Sequence, residues 1–100
     1  MATGFEDWSL RSFSAGSEEE QEKVDATAVQ AVATFSASCH SWRIFNDGPN
    51  AIYYSLATGV DTDNFKVPAK SWLMEDVPTT SIYIICAAGE TATVYITGVR

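Results

Sequence analysis

From Val24 to Val99 the chain is written in short stretches of alternating polar and apolar residues, each closed by a cluster of turn residues. That pattern constrains the fold more than any other feature of the sequence. A period of two sends successive side chains to opposite faces of a strand, so each stretch carries one apolar face. Short stretches of this kind, separated by Gly, Pro, Asn, Asp and Ser, describe an antiparallel all-β domain. A length of 100 residues allows one such domain with a tail. The expected fold is a small antiparallel β-sandwich, jelly-roll or immunoglobulin-like, of about seven strands. It spans residues 24–100 and carries an extended N-terminal arm, residues 1–23, flexible or ordered by a partner.

The strands can be taken in order. "VDATAVQAVATF" places Val29, Ala31, Ala33 and Phe35 on one side, with Ala28, Gln30, Val32 and Thr34 opposite. "SWRIFN" sets Trp42 and Ile44 against Arg43 and Phe45, and "AIYYSL" puts Ile52, Tyr54 and Leu56 on one face. Between them "NDGPN" is a strong turn, because Asn and Asp favour turn geometry, Gly48 permits positive φ, and Pro49 cannot donate to a ladder. The two stretches read as strands of one sheet whose register the turn sets. "FKVPAKSWLM" makes two short strands broken at Pro68. "SIYIICA" and "TATVYITGV" read as a closing pair joined by "AGE".

Residues 17–35 also fit a helix. Ser17 and Glu20 form a capping box, the acidic run suits a helix N-terminus, and Val24, Ala28, Val32 and Phe35 recur at helical spacing. The β-branched residues Thr27, Val29, Val32 and Thr34, and the strands downstream, favour a strand from about Ala26. One helical turn in the acidic run remains open.

Thirteen acidic against six basic residues leave a net charge of −7. That sign repels phosphate backbones and anionic lipid, which argues against nucleic acid or a membrane as partner. "MATGFEDWSL" lacks the basic start of a secretory signal, and no apolar run approaches the roughly eighteen residues of a membrane span. The expected site of synthesis is the cytoplasm.

No catalytic constellation emerges. His40 is the single histidine and neighbours Cys39, but adjacent side chains on an extended chain point apart, which rules against a Cys–His nucleophile. One His and two Cys do not make a zinc site. Cys86, inside "SIYIICAAG", reads as a buried thiol; Cys39 in a polar turn stays open between buried and reactive. "DTDN", Asp61 to Asn64, offers alternating oxygens but lacks the glycine and distal glutamate of a calcium loop. No phosphate-cradling glycine loop and no pair of acids placed for glycoside hydrolysis occurs. The expectation is a protein that is not an enzyme and takes neither metal nor cofactor.

The stretches "IFNDGPNAIYYSLATG", "FKVPAKSWLMED" and "TTSIYIICAAGETATVYI" resemble the small β-sandwich virion proteins of tailed bacteriophages. The residues that carry the resemblance are Asn46, Asp47, Gly48, Tyr53, Trp72, Leu73, Ile82, Tyr83, Gly89, Ala92, Thr93 and Val94. It covers Ser41 to Ile96 and leaves the N-terminal third outside. The resemblance implies a structural role in the virion: capsid decoration (cement) that stabilises the assembled head, or a tail, baseplate or fibre-associated module that binds a host-surface glycan or protein.

Ring-bearing side chains supply the remaining clue. Trp42, Tyr53, Tyr54, Phe65 and Trp72 fall on both faces of their strands, more than a small core absorbs, so part of the outer surface is expected to be covered by self-association, as a trimer before a dimer. Phe5, Trp8 and Phe13 are bulky anchors in the polar arm, suited to ordering on a partner such as the major capsid protein. The expected partner-binding residues are therefore Phe5, Trp8, Phe13, Trp42, Tyr54 and Trp72, and the expected location is the capsid surface.

Overall fold

A computed structural model of the chain describes residues 19–100. They form eight strands: β1 (Glu19–Ala26), β2 (Ala31–Cys39), β3 (Ser41–Pro49), β4 (Ile52–Ser55), β5 (Phe65–Val67), β6 (Ser71–Glu75), β7 (Thr79–Ile85) and β8 (Ala92–Val99). One four-stranded sheet has the order β1-β8-β3-β6, the other β2-β7-β4-β5, and every pairing is antiparallel. Of all the connections only β4 to β5 stays within a sheet; each of the others crosses from one layer to the other. Such a double-layered Greek-key order is the jelly roll. An immunoglobulin-type sandwich pairs its first two strands side by side, whereas here β1 and β2 lie in different sheets.

The core follows from the period of two. From the first sheet Val24, Ala26, Trp42, Ile44, Ala92, Val94 and Ile96 point inward; Ala33, Phe35, Ile52, Tyr54, Val67, Ile82 and Ile84 face them from the second. The two Ile-bearing central strands, β7 and β8, explain why the expected closing hairpin does not form. Side by side, their apolar rows would share one surface. Stacked in opposite layers, they face each other across the core and Ile82, Ile84, Val94 and Ile96 are all fully buried. "AAGE" is therefore a bridge between layers, closed by the Glu90 amide donating to the Ala87 carbonyl at 3.0 Å.

From Glu19 the acidic run is a strand, not a helical turn, so the sandwich includes residues before Val24. Residues 19–23, expected in the arm, pair with β8 in register from Glu19↔Val99 to Ala26↔Ala92. Alternation turns Glu20 toward β2, where its carboxylate accepts the Ser36 amide at 2.9 and 3.1 Å and the Ser36 hydroxyl at 2.8 Å. The Arg100 guanidinium donates to the same carboxylate at 2.9 Å. Partners of this kind suit an inward-turned charge to a strand as well as a helix N-terminus would. The single strand expected from Ala26 is two, since Thr27 to Gln30 turn between β1 and β2 and leave Val29 76% exposed. Gln30 Oε1 secures that turn by accepting the Gly59 and Val60 amides.

"NDGPN" does not join two strands of one sheet either. β3 lies in the first layer and β4 in the second, so the segment is a corner. Asn46 builds it. Its side chain is fully buried; Nδ2 donates to the Asn50 carbonyl at 2.9 Å and the Val67 carbonyl at 3.0 Å, while Oδ1 accepts the Gly48 amide at 2.8 Å. Gly48 sits at φ 80°, which favours glycine, and the Gly48–Pro49 peptide is cis. Asn50 donates to the Thr91 carbonyl at 3.0 Å, and Lys70 to Asp47 at 2.7 and 3.1 Å. One pentapeptide thus ties the β3–β4, β5–β6 and β7–β8 corners together.

Both cysteines are buried, which resolves Cys39, and burial raises both thiols above their ordinary range. Cys39 and the Phe35 ring press on Gly98, where an added Cβ would lie 2.6 Å from Cys39 Sγ and 2.8 Å from Phe35 Cζ.

Asn46→Ala leaves two carbonyls and one amide without partners at a buried corner, and should cost about 2–4 kcal/mol in denaturant unfolding. Gly98→Ala should cost about 1–3 kcal/mol by overpacking. Glu20 supplies a pH dependence. The Ser36 amide, then the Arg100 and Ser36 side-chain hydrogen bonds, hold its pKa below the ordinary 4.5. Its stabilisation is therefore complete above that value and lost as pH falls through the lower, folded-state value. Glu20→Gln should flatten this acid limb in melts recorded down the pH scale.

Candidate interaction surface

Alternation along β3 fixes which rings face solvent. Trp42 and Ile44 point in; Arg43 and Phe45 point out, opposite Thr97 and Tyr95 of β8 and Met74 and Trp72 of β6. One transverse row thus reads Lys23, Tyr95, Phe45, Trp72 across the outer face of the first sheet, and the next reads Gln21, Thr97, Arg43, Met74. Gln21, Arg43, Phe45, Trp72, Tyr95 and Thr97 enclose a shallow depression of about 430 Å³. It pairs three rings with an amide, a guanidinium and a hydroxyl.

A second, more apolar groove of about 470 Å³ opens where the edge strands β5 and β6 lie over one another, with Trp42, Tyr54, Leu56, Phe65 and Val77 among its lining residues. Its floor is rigid. Trp42 and Tyr54 pack edge to face at 5.6 Å, Tyr54 and Phe65 lie 5.6 Å apart at 31°, and Trp42 Nε1 donates to the Val77 carbonyl at 2.9 Å. Burial, then the Glu75 charge and its hydrogen bond, raise the Tyr54 hydroxyl above its ordinary range and keep it a donor.

The distribution of exposed apolar side chains is uneven. Among the described residues the large ones are Val29, Val32, Leu56, Phe65, Trp72, Met74 and Val77. All but Val29 and Val32 lie on or beside β5 and β6. Phe65 is 70%, Trp72 60% and Met74 62% exposed. Trp72 and Met74 stand on the outer face of β6, and Leu56, Phe65 and Val77 line the groove beside it.

Phe5, Trp8 and Phe13 lie outside the described residues. Of the other expected contact residues, Trp72 stands on this surface. Trp42 and Tyr54 are core residues at 3% and 5% exposure, and meet a partner at most through the groove they floor. Alternation placed the indole on one face with Ile44, and the stacking of the sheets makes that face the inner one. Met74 was missed, although it stands two residues from Trp72 and so shares its face.

Chemistry-bearing side chains are dispersed. Among the described residues no group of three or more His, Cys, Asp and Glu could hold a metal ion. Asp61 and Asn64 spend their oxygens on the turn itself, accepting the Asp63 and Asp61 amides at 2.9 and 2.7 Å. His40 is exposed at the β2–β3 corner, where its amide donates to the Val99 carbonyl. No protein-family model matches the chain, and no curated protein matches it.

The two tryptophans separate core from surface. Trp42→Ala should cost about 3–5 kcal/mol of stability, and Trp72→Ala should fall within about 0.5 kcal/mol of the parent in thermal or denaturant unfolding.

Proposed function

We propose that the protein is a structural component of a tailed-bacteriophage virion, a decoration protein that cements the assembled head. The observation that carries this reading is the concentration of exposed apolar side chains along the edge where β5 and β6 meet. Contact, rather than turnover, is what such a surface offers. The virion-like strand motifs support the same reading, as does the jelly roll, an architecture at home in capsids, though by analogy of fold alone. The protein works without catalysis, metal or cofactor. It is made in the cytoplasm of the bacterial host and adds to the finished shell, where the arm with Phe5, Trp8 and Phe13 docks on the major capsid protein and neighbouring copies associate.

Cement acts by linkage: a ligand that binds only the assembled shell raises its stability by mass action. Many equivalent copies, each contributing a few kcal/mol, reinforce the shell with no reacting group. The net charge of −7 keeps the free protein soluble until it docks.

A second reading rests on the depression over the first sheet. Rings of Phe45, Trp72 and Tyr95 beside Gln21, Arg43 and Thr97 suit a sugar, whose apolar face stacks while its hydroxyls bond. That arrangement favours a tail or fibre module reading a host-surface glycan. Location on the particle decides between the two. Cement requires copies in the hundreds on the head, and heads that become heat-sensitive when residues 1–16 are deleted. A few copies at the tail tip, with binding to host-cell glycan, would overturn it.

A further inference from the structure

A sandwich of two open sheets has four edge strands, and unprotected edges invite pairing with another chain. Here three of the four are blunted. β1 carries Glu19, Glu20, Glu22, Lys23 and Asp25 along its length. β2 is interrupted by a register shift between Thr34 and Cys39, and its Ser36 amide is already taken by Glu20. β5 is 3 residues long, with Lys66 in it and Pro68 directly after it. β6 is the least protected of the four: its one charge, Glu75, stands at its end, and Ser71 to Met74 contains no charge, no proline and no bulge. Among the described residues it pairs with β3 alone, and it carries the exposed Trp72 and Met74.

We infer that β6 is the interface with a second copy of this chain, paired antiparallel across a two-fold axis through Leu73. The sequence of the edge is complementary to itself about that residue. Leu73 meets Leu73 of the second copy, and Trp72 meets its Met74, twice, as a sulfur–aromatic contact. Ser71 meets Glu75 of the second copy, so the Glu75 carboxylates are kept apart. The four-stranded sheet becomes one of eight, and two depressions over the first sheet come side by side. The symmetry closes a dimer, in place of the trimer expected from the sequence, and mates one patch with itself. It deepens the self-association proposed above and stands whether or not the protein is carried on a virion.

Sedimentation equilibrium of the full chain at micromolar concentration tests it. A dimer is expected; a monomer or a trimer overturns the inference. The double variant Trp72→Lys with Met74→Lys sets lysine against lysine at both cross-strand positions and should weaken the dimer by about tenfold or more. Trp72→Glu with Met74→Glu should do the same, and mixing the two variants should restore a heterodimer. Both positions are exposed, so circular dichroism should show an unchanged fold. A dimer that survives either double variant, or one dissociated by Phe65→Lys with Trp72 and Met74 intact, places the interface elsewhere and overturns the assignment. Because the readout is association in solution, its failure leaves the virion reading to be judged by location on the particle.

Discussion

The fold turns on one buried amide. Asn46 sits where β3 leaves the first sheet, and its three hydrogen bonds run to Gly48, Asn50 and Val67. A corner between layers strips backbone groups of their ladder partners, and burial makes each unpaired group costly. An asparagine side chain offers donor and acceptor at once, so it can replace the missing ladder at a single point. Through Val67 it reaches the strand before the β5–β6 crossover, and the adjoining Asn50 holds the β7–β8 crossover at Thr91. Three separate layer crossings are thereby held in mutual position, and on that position depends the facing of Ile44, Ile52, Ile84 and Val94 across the core.

At the opposite end, near Glu19, a different solution appears. The first strand is acidic there, and polar partners hold its charge. Glu20 accepts from Ser36 and Arg100, drawing β1, β2 and the last residue together. Its partly exposed setting keeps this contact modest, as charge pairs near water are. Its value is positional: the same carboxylate occupies an amide of the β2 edge. Charge therefore both closes the sandwich and shields one side of it from other chains.

That shielding has a counterpart in the apolar side formed by β5 and β6. Edge protection and apolar exposure are distributed inversely over the molecule, charges along β1, rings and thioether along β6. An arrangement of this kind separates a side kept free of partners from a side available to them. The buried pair Trp42 and Tyr54 gives the available side a stiff floor, so Phe65 and Val77 are presented on a fixed surface.

What the amino-acid order determined by itself is local. Period-two alternation sufficed for the all-β class, for placing Ala33 with Phe35, Trp42 with Ile44 and Ile52 with Tyr54 on shared faces, and for the break at Pro68, because side-chain direction in a strand depends only on parity. It also sufficed for Gly48 as a positive-φ position. Tertiary structure decided which strands are neighbours. Nothing in "NDGPN" or "AAGE" distinguishes a hairpin from a crossover; the difference lies in whether Ile rows distant in the chain gain more burial stacked face to face than side by side. Tertiary structure also decided the acidic run, expected in the arm with one helical turn open, which from Glu19 pairs with β8 and brings Glu20 within reach of Ser36 and Arg100. Which face of β3 and β6 turns inward was not legible from parity: the stacking of the two sheets buries Trp42 and leaves Trp72, Met74, Phe65 and Val77 exposed at the edge where β5 and β6 meet.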